Sequence, residues 1–407
     1  MKQLTVLLLV LGSLALQGQN TAQWRGVNRD GIYNETGLIK AWPETGPALL
    51  WDFSGIGNGY GSVAVSDDKI FVNGEIDSVS HLFAFDLSGT LLWKAPNGAE
   101  FMGEGFSGNF PGSRSTPTVV NDLVYACSGM GRIACYETKT GVEKWAINML
   151  NDLNGISNYF GYSESLLVDG NKLFCFPGGN DTNFVALDRF TGKILWTSKA
   201  LSDTITYCSP MLIELPEIKI LVSFSNRNLL GLNAETGELL WSHKQAVKEN
   251  NHHCNTPIYK NGNIYYATSY GNGLVKLALA NNGKSIKELW RIEIDENGFS
   301  GFVIHNEKLY ASTDKLRLSE IDINAGIVTD SLKVKTGTVI IADSMLYCYS
   351  DNGYVNLMGI STENMELVSK FKVDKGTKEH FSHPAIKNGV LYIRHGDALM
   401  AYRIKEE

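Results

Sequence analysis

The sequence predicts an all-β fold: an eight-bladed β-propeller of four-stranded antiparallel blades, closed by an N-terminal strand that joins the C-terminal blade. Three observations predict it. Six tryptophans (Trp51, Trp93, Trp145, Trp196, Trp241 and Trp290) recur at intervals of 42, 52, 51, 45 and 49 residues. Most of them end one local pattern, seen in its plainest form as Asp188-Arg-Phe-Thr191-Gly192-Lys-Ile-Leu-Trp196 and Asn233-Ala-Glu-Thr236-Gly237-Glu-Leu-Leu-Trp241. The 41 glycines outnumber the 10 prolines fourfold, which suits many tight turns.

Each part of the pattern has a physical role. Alternating apolar residues before it make a strand with one buried face. Asp or Asn starts a turn by accepting hydrogen bonds from its own backbone, and Gly supplies positive φ. The residues after Gly begin the next strand, whose Trp is expected to bury against the neighbouring blade. A second strand pair precedes each such hairpin, for example Thr118 to Ala126 and Leu166 to Phe174. Four strands in about 45 residues make one propeller blade.

Seven blades start near Val63, Ser115, Ser163, Cys208, Asn255, Phe302 and Thr338. The eighth starts near Ser382 and reaches only three strands by Ile404; Ala48 to Phe53 is expected to supply the missing outer one. That joins the chain ends in one sheet and removes an open edge. Blades six and seven are degenerate, with turns Asp322 to Gly326 and Ser361 to Asn364 and no Trp. The organisation read from these signals is a signal peptide over 1–19, an N-terminal extension over 20–47, and a single propeller over 48–407.

Composition narrows function. Net charge is −7 with no basic run, which argues against nucleic acid as the main partner. Lys2 followed by the apolar run Leu4 to Leu16 describes a secretory signal too short to span a bilayer comfortably. No Cys follows that run and no other segment is apolar enough to span, so a soluble protein of the periplasm or cell exterior, not a lipoprotein, is expected. Of the six cysteines, Cys127 and Cys135 flank the turn Gly129-Met130-Gly131, where a cross-strand disulfide is one reading. Cys175 and Cys348 lie in apolar runs and read as buried small hydrophobes.

The repeat resembles the pyrroloquinoline-quinone-like (PQQ-like) repeat shared by quinoprotein alcohol dehydrogenases and by the propeller lipoprotein of outer-membrane protein assembly. The segments Trp24-Arg25-Gly26-x-Asn28-Arg29-Asp30-Gly31, Gly161-Tyr162-Ser163-Glu164-Ser165 and Arg394-His395-Gly396-Asp397 are similar to an exported bacterial subgroup. The resemblance implies the propeller strongly and function weakly, because one propeller hosts catalysts and scaffolds alike. It implies two functional classes: a non-catalytic binding or assembly module meeting an envelope protein, or a quinoprotein oxidoreductase holding PQQ with Ca²⁺. The quinoproteins' adjacent Cys-Cys pair is absent, as is any complete catalytic motif. The reading therefore leans to a non-catalytic module with no assigned cofactor. A third class, a saccharide-binding propeller, is suggested by the aromatic loops Phe101 to Phe110 and Tyr159 to Tyr162.

In such a blade, the innermost strand's start, the turn between strands two and three, and the links between blades share one face. Ligand-binding candidates on that face are Arg114, Tyr162, Glu164, Tyr207, His252, His253, His383 and Arg394. Glu164 is expected to point into the central channel, as a cation ligand, as a base, or paired with Arg114 one blade earlier. His252, His253 and Cys254 are adjacent on a strand, so all three cannot share one ion easily. His395 and Asp397 are candidates for chemistry in a turn that is also ordinary Gly-Asp turn material.

Overall fold

The structure, a computed structural model, describes residues 21–246, 252–268, 271–280, 282–295, 298–361 and 364–406. The expected signal peptide lies outside the described residues. Eight antiparallel sheets form eight blades. The first holds Ala64–Val65, Lys69–Ile76, Val79–Asp86 and Leu91–Ala99 from axis to rim. The next six repeat that order with innermost strands Thr118–Val120, Leu167–Asp169, Met211–Glu214, Ile258–Lys260, Phe302–His305 and Gly337–Ala342. The eighth runs Ala385–Lys387, Val390–His395 and Ala398–Arg403, and its rim strand is Ala48–Ser54. Ala48 pairs with Arg403 and Ser54 with Ala398, so the expected closure forms. No helix among the described residues is long and apolar enough to cross a membrane.

The turn chemistry follows the sequence. Asp188 Oδ1 accepts from the amides of Phe190 and Thr191, and Asp86 Oδ1 from those of Ser88 and Thr90. Each repeat tryptophan donates its indole N–H to a carbonyl in the next blade's turn: Trp51 to Leu87, Trp93 to Thr138, Trp145 to Arg189, Trp196 to Ala234, Trp241 to Gly283 and Trp290 to Ile323, at 2.9–3.2 Å. The pattern's glycine is required twice over. Gly192 has φ of 71°, and a Cβ there would stand 2.7 Å from the Trp145 ring. The tryptophan of one blade and the glycine of the next are thus one lock. Where blade seven lacks its Trp, Trp42 of the N-terminal extension packs instead, 5.2 Å from the Phe371 ring and 5.8 Å from Tyr347.

One reading changes and one gains detail. Cys127 pairs with Ile133 and Cys135 with Tyr125, so the hairpin is centred one residue earlier than a Cys–Cys pairing needs, and both thiols are free. The extension is also more than an appendage. Thr21–Ala22 pairs antiparallel with the innermost strand of blade two, and Ile32–Tyr33 pairs parallel with that of blade seven. Thr21 and Tyr33 both lie level with the far ends of those strands, at Val120 and Ala342. Residues 21–33 therefore enter the central channel from the far face, turn inside it, and leave the same way.

Candidate functional site

The tip of this inserted hairpin plugs the channel. Trp24 donates its indole N–H to Thr256 Oγ1 of blade five. Arg25 is buried and donates to the carbonyls of Phe302 in blade six and Val339 in blade seven, and to His383 Nδ1 of blade eight. Because Nδ1 accepts, the His383 proton sits on Nε2, which donates to Phe299 O at 2.9 Å. Arg29 donates to the carbonyls of Ser165 and Leu166 in blade three. With the strand pairings, this short segment touches six of the eight blades. Both guanidiniums are wholly desolvated, which lowers their pKa, to about 10 for Arg25 and about 9 for Arg29. Their partners are mainly backbone carbonyls at or near the starts of the innermost strands.

Above the plug lies a cavity of about 820 Å³ at the channel mouth. Trp24 contributes to its lining, beside His383, Ser163, Ser165 and Ser209. Its walls are the links between blades, which carry Tyr60, Phe106, Phe110, Phe160, Tyr207, Phe299 and Phe381. Arg114 stands among them. Its guanidinium lies 4.8, 5.5 and 5.7 Å from the rings of Phe101, Tyr60 and Phe160, and it donates to the carbonyls of Gly112 and Phe110. Among the described residues no carboxylate forms an ion pair with it. Desolvation lowers its pKa, the mark of a cation stripped of water without a full counter-charge. Glu293 and Asp295 line the cavity from the link between blades five and six.

The sequence candidates divide sharply. Arg114, Tyr207, His252 and His383 line the cavity. The others do not. Tyr162 is buried with its hydroxyl donated to Pro177 O. His253 is wholly buried, stacked on Phe224 at 4.5 Å and bonded to Thr268 Oγ1 and Asn226 O; burial lowers its pKa to about 4. Arg394 is enclosed by the carbonyls of Gly57, Gly61, Asn73 and Gly396. His395 is clasped between the carbonyls of Lys375 and Lys378 and stacked on His380 at 3.7 Å, and Asp397 Oδ1 accepts from Thr377 Oγ1.

Glu164 corrects the expectation placed on it. Its neighbours Ser163 and Ser165 line the cavity, while Glu164 points back into the blade and accepts from the Phe176 amide at 3.0 Å. Alternation along an extended strand turns it away from the channel. Burial raises its pKa to about 8, and the neighbouring charge is Arg29, not Arg114. Arg114, Glu164 and Arg394 therefore do not meet. The lining residues that the sequence reading passed over are mostly in the links between blades, such as Phe299, Phe381, Glu293 and Asp295, and in the plug. Position after each rim strand was the signal available for the links; nothing repetitive marks the plug.

A family model described as outer membrane protein assembly factor BamB matches residues 78–329. The chain belongs to that family. No match is found among curated proteins. BamB from Moraxella catarrhalis superposes with a TM-score of 0.65 at 10% identity, over 88% of this chain and 99% of that one. The quinohemoprotein alcohol dehydrogenase from Comamonas testosteroni gives 0.68 at 13%, over 95% and 81%. The computationally designed Ika8 protein gives 0.59 at 12%, over 88% and 99%. At such identities the likeness to a dehydrogenase and to a designed protein alike establishes the propeller and nothing finer.

A PQQ–Ca²⁺ centre would place two demands on the mouth, room for the quinone and oxygen ligands for the ion. The cavity is large enough, and Arg114 suits a carboxylate. The cation is the obstacle. Ca²⁺ takes six to eight oxygen ligands, whereas no three His, Cys, Asp or Glu side chains converge among the described residues. Glu164, the residue expected to serve it, is turned into the blade. The residues present do not fit that centre.

Proposed function

We propose that this chain is an exported, non-catalytic binding or assembly module of the cell envelope, and that it engages its ligand or partner at the channel mouth. Residues 1–19 serve as its leader in this reading. One observation carries it: a plugged channel whose mouth retains an open, aromatic-walled cavity holding an arginine that forms no ion pair among the described residues. The plug's guanidiniums donate mostly to backbone carbonyls of the blades, whereas Arg114 at the mouth commits only two donors, to Phe110 O and Gly112 O. Membership of an assembly-factor family supports the same reading.

The test uses the purified chain as bait in envelope extract, beside the double variant Phe106→Ala, Arg114→Gln. The wild type is expected to retain a partner that the double variant loses. Titration with PQQ and Ca²⁺ at micromolar concentration is expected to leave the melting temperature unchanged. Saturable quinone binding with dye-linked alcohol oxidation would overturn the proposal.

A further inference from the structure

The charges around the mouth are arranged across it. Arg114 lies just before blade two, whose innermost strand starts at Thr118. Glu293 and Asp295 lie between the rim strand of blade five, Ile286–Ile292, and the innermost strand of blade six, Phe302–His305. In a ring of eight, blades two and six are diametrically opposed. Neither Glu293 nor Asp295 forms an ion pair among the described residues. His252 and His383 add no charge near neutral pH, because burial lowers the pKa of both. The lining of the mouth thus presents one cation and two carboxylates on opposite walls, with aromatic faces and the Trp24 indole between them; Glu379, which accepts from the Tyr60 hydroxyl, and buried Glu100 lie outside that lining.

An anion alone would be drawn to Arg114 but repelled by the far wall, and a cation alone would meet the reverse. A ligand with an anion at one end, a cation at the other and an apolar body satisfies every part at once. Building on the proposal that the mouth is the binding site, we infer that its ligand is a short zwitterionic peptide. The α-carboxylate lies at Arg114, the α-ammonium lies toward Glu293 and Asp295, and apolar side chains lie against Phe110, Phe160 and Phe381. Two of the guanidinium's five N–H groups are committed to Phe110 O and Gly112 O, which leaves donors for a carboxylate. The two ends are unequal. Arg114 is largely withdrawn from water, whereas Glu293 and Asp295 are exposed and screened. The carboxylate end therefore contributes more.

Calorimetric titration of the purified chain at neutral pH with a tetrapeptide of leucine and phenylalanine tests this, in four forms: free, C-amidated, N-acetylated and doubly capped. A charge-assisted contact withdrawn from water makes amidation cost about tenfold in Kd; acetylation is expected to cost less, about threefold. In Arg114→Gln the acid and the amide should bind alike. In Glu293→Gln, Asp295→Asn the amine and its acetylated form should bind alike. Doubly capped peptide binding as tightly as the free one would overturn the zwitterion while leaving the mouth as the binding site. Saturable binding of an oligosaccharide with none of the peptide would overturn it in favour of a sugar. Absence of binding by every peptide form, with a partner still captured from extract, would overturn it too. The capped peptides need no variant, so the test does not depend on any substituted chain folding.

Discussion

The channel plug and the channel mouth share an axis, a set of blades and a liking for arginine, yet they are built oppositely. In the plug, Arg25 and Arg29 are buried, and their donors end mostly on carbonyls of the innermost strands. At the mouth, Arg114 is wrapped in three aromatic rings, keeps donors in reserve and faces open space. The difference teaches how to sort basic residues in a propeller. An arginine that satisfies carbonyls of several blades holds the ring together. One that leans on aromatic faces beside a cavity is free for a ligand. Arg394, a site candidate from the sequence, falls with the first kind.

The comparison breaks most readily at Arg29. Arg29→Ala removes a buried guanidinium and takes a donor from the carbonyls of Ser165 and Leu166, the latter keeping only Thr118 Oγ1; about 3–5 kcal/mol of stability should be lost in urea denaturation. Gly31→Ala comes next. Gly31 has φ of 78°, and a Cβ there would stand 2.4 Å from an Arg25 nitrogen and 3.0 Å from Val303, at a cost of about 2–3 kcal/mol. Its counterpart at the mouth, Gly105, has φ of 56° with nothing within 4 Å, so Gly105→Ala should cost only about 1 kcal/mol. Denaturant midpoints of the two glycine variants, measured together, check that contrast.

Glu164 sharpens the comparison through pH, because its folded pKa of about 8 lies above the usual carboxylate value. The native state then holds a proton that the unfolded chain releases at lower pH. Its contribution is fully present below about pH 4.5. It is lost as pH rises to about 8, so stability falls across that window. Glu164→Gln should flatten the fall. An unchanged pH profile in that variant would place the carboxylate in water after all. Arg114→Gln is expected to cost about 1–2 kcal/mol, well below Arg29→Ala, because it loses two hydrogen bonds to loop carbonyls and its contacts with aromatic rings but no ion pair and no link between innermost strands. A thermal melt only slightly lowered, with ligand binding lost, in that variant would separate mouth from plug.

The fold was legible because its signals are local and repeated. The Asp turn, the positive-φ Gly and the Trp four or five residues later each report on one hairpin, and their recurrence counts the blades. Even the closing strand was legible, since Trp51 ends the pattern without a blade before it. The site was less so. Glu164 stood out as a carboxylate at a strand start, but whether such a residue faces the channel depends on a one-residue alternation among Ser163, Glu164 and Ser165 that the sequence does not phase. Arg394 reads from sequence as part of an exposed turn but lies at the end of the strand Val390–His395, where only the approach of Gly57 in the link to blade one and of Asn73 in that blade buries it. The plug was invisible in principle. Trp24, Arg25 and Arg29 find their partners in the blades from 136 to 358 positions away, and no local pattern encodes contacts of that span.

The claim that the mouth, and not the opposite face, meets the partner is tested most directly by site-specific photo-crosslinking in intact cells. One probe replaces Phe106, exposed at the cavity rim, and the other replaces Phe190, also exposed, in a turn on the far face. Adducts from position 106 and none from position 190 are the predicted result. Adducts from position 190 alone would contradict it.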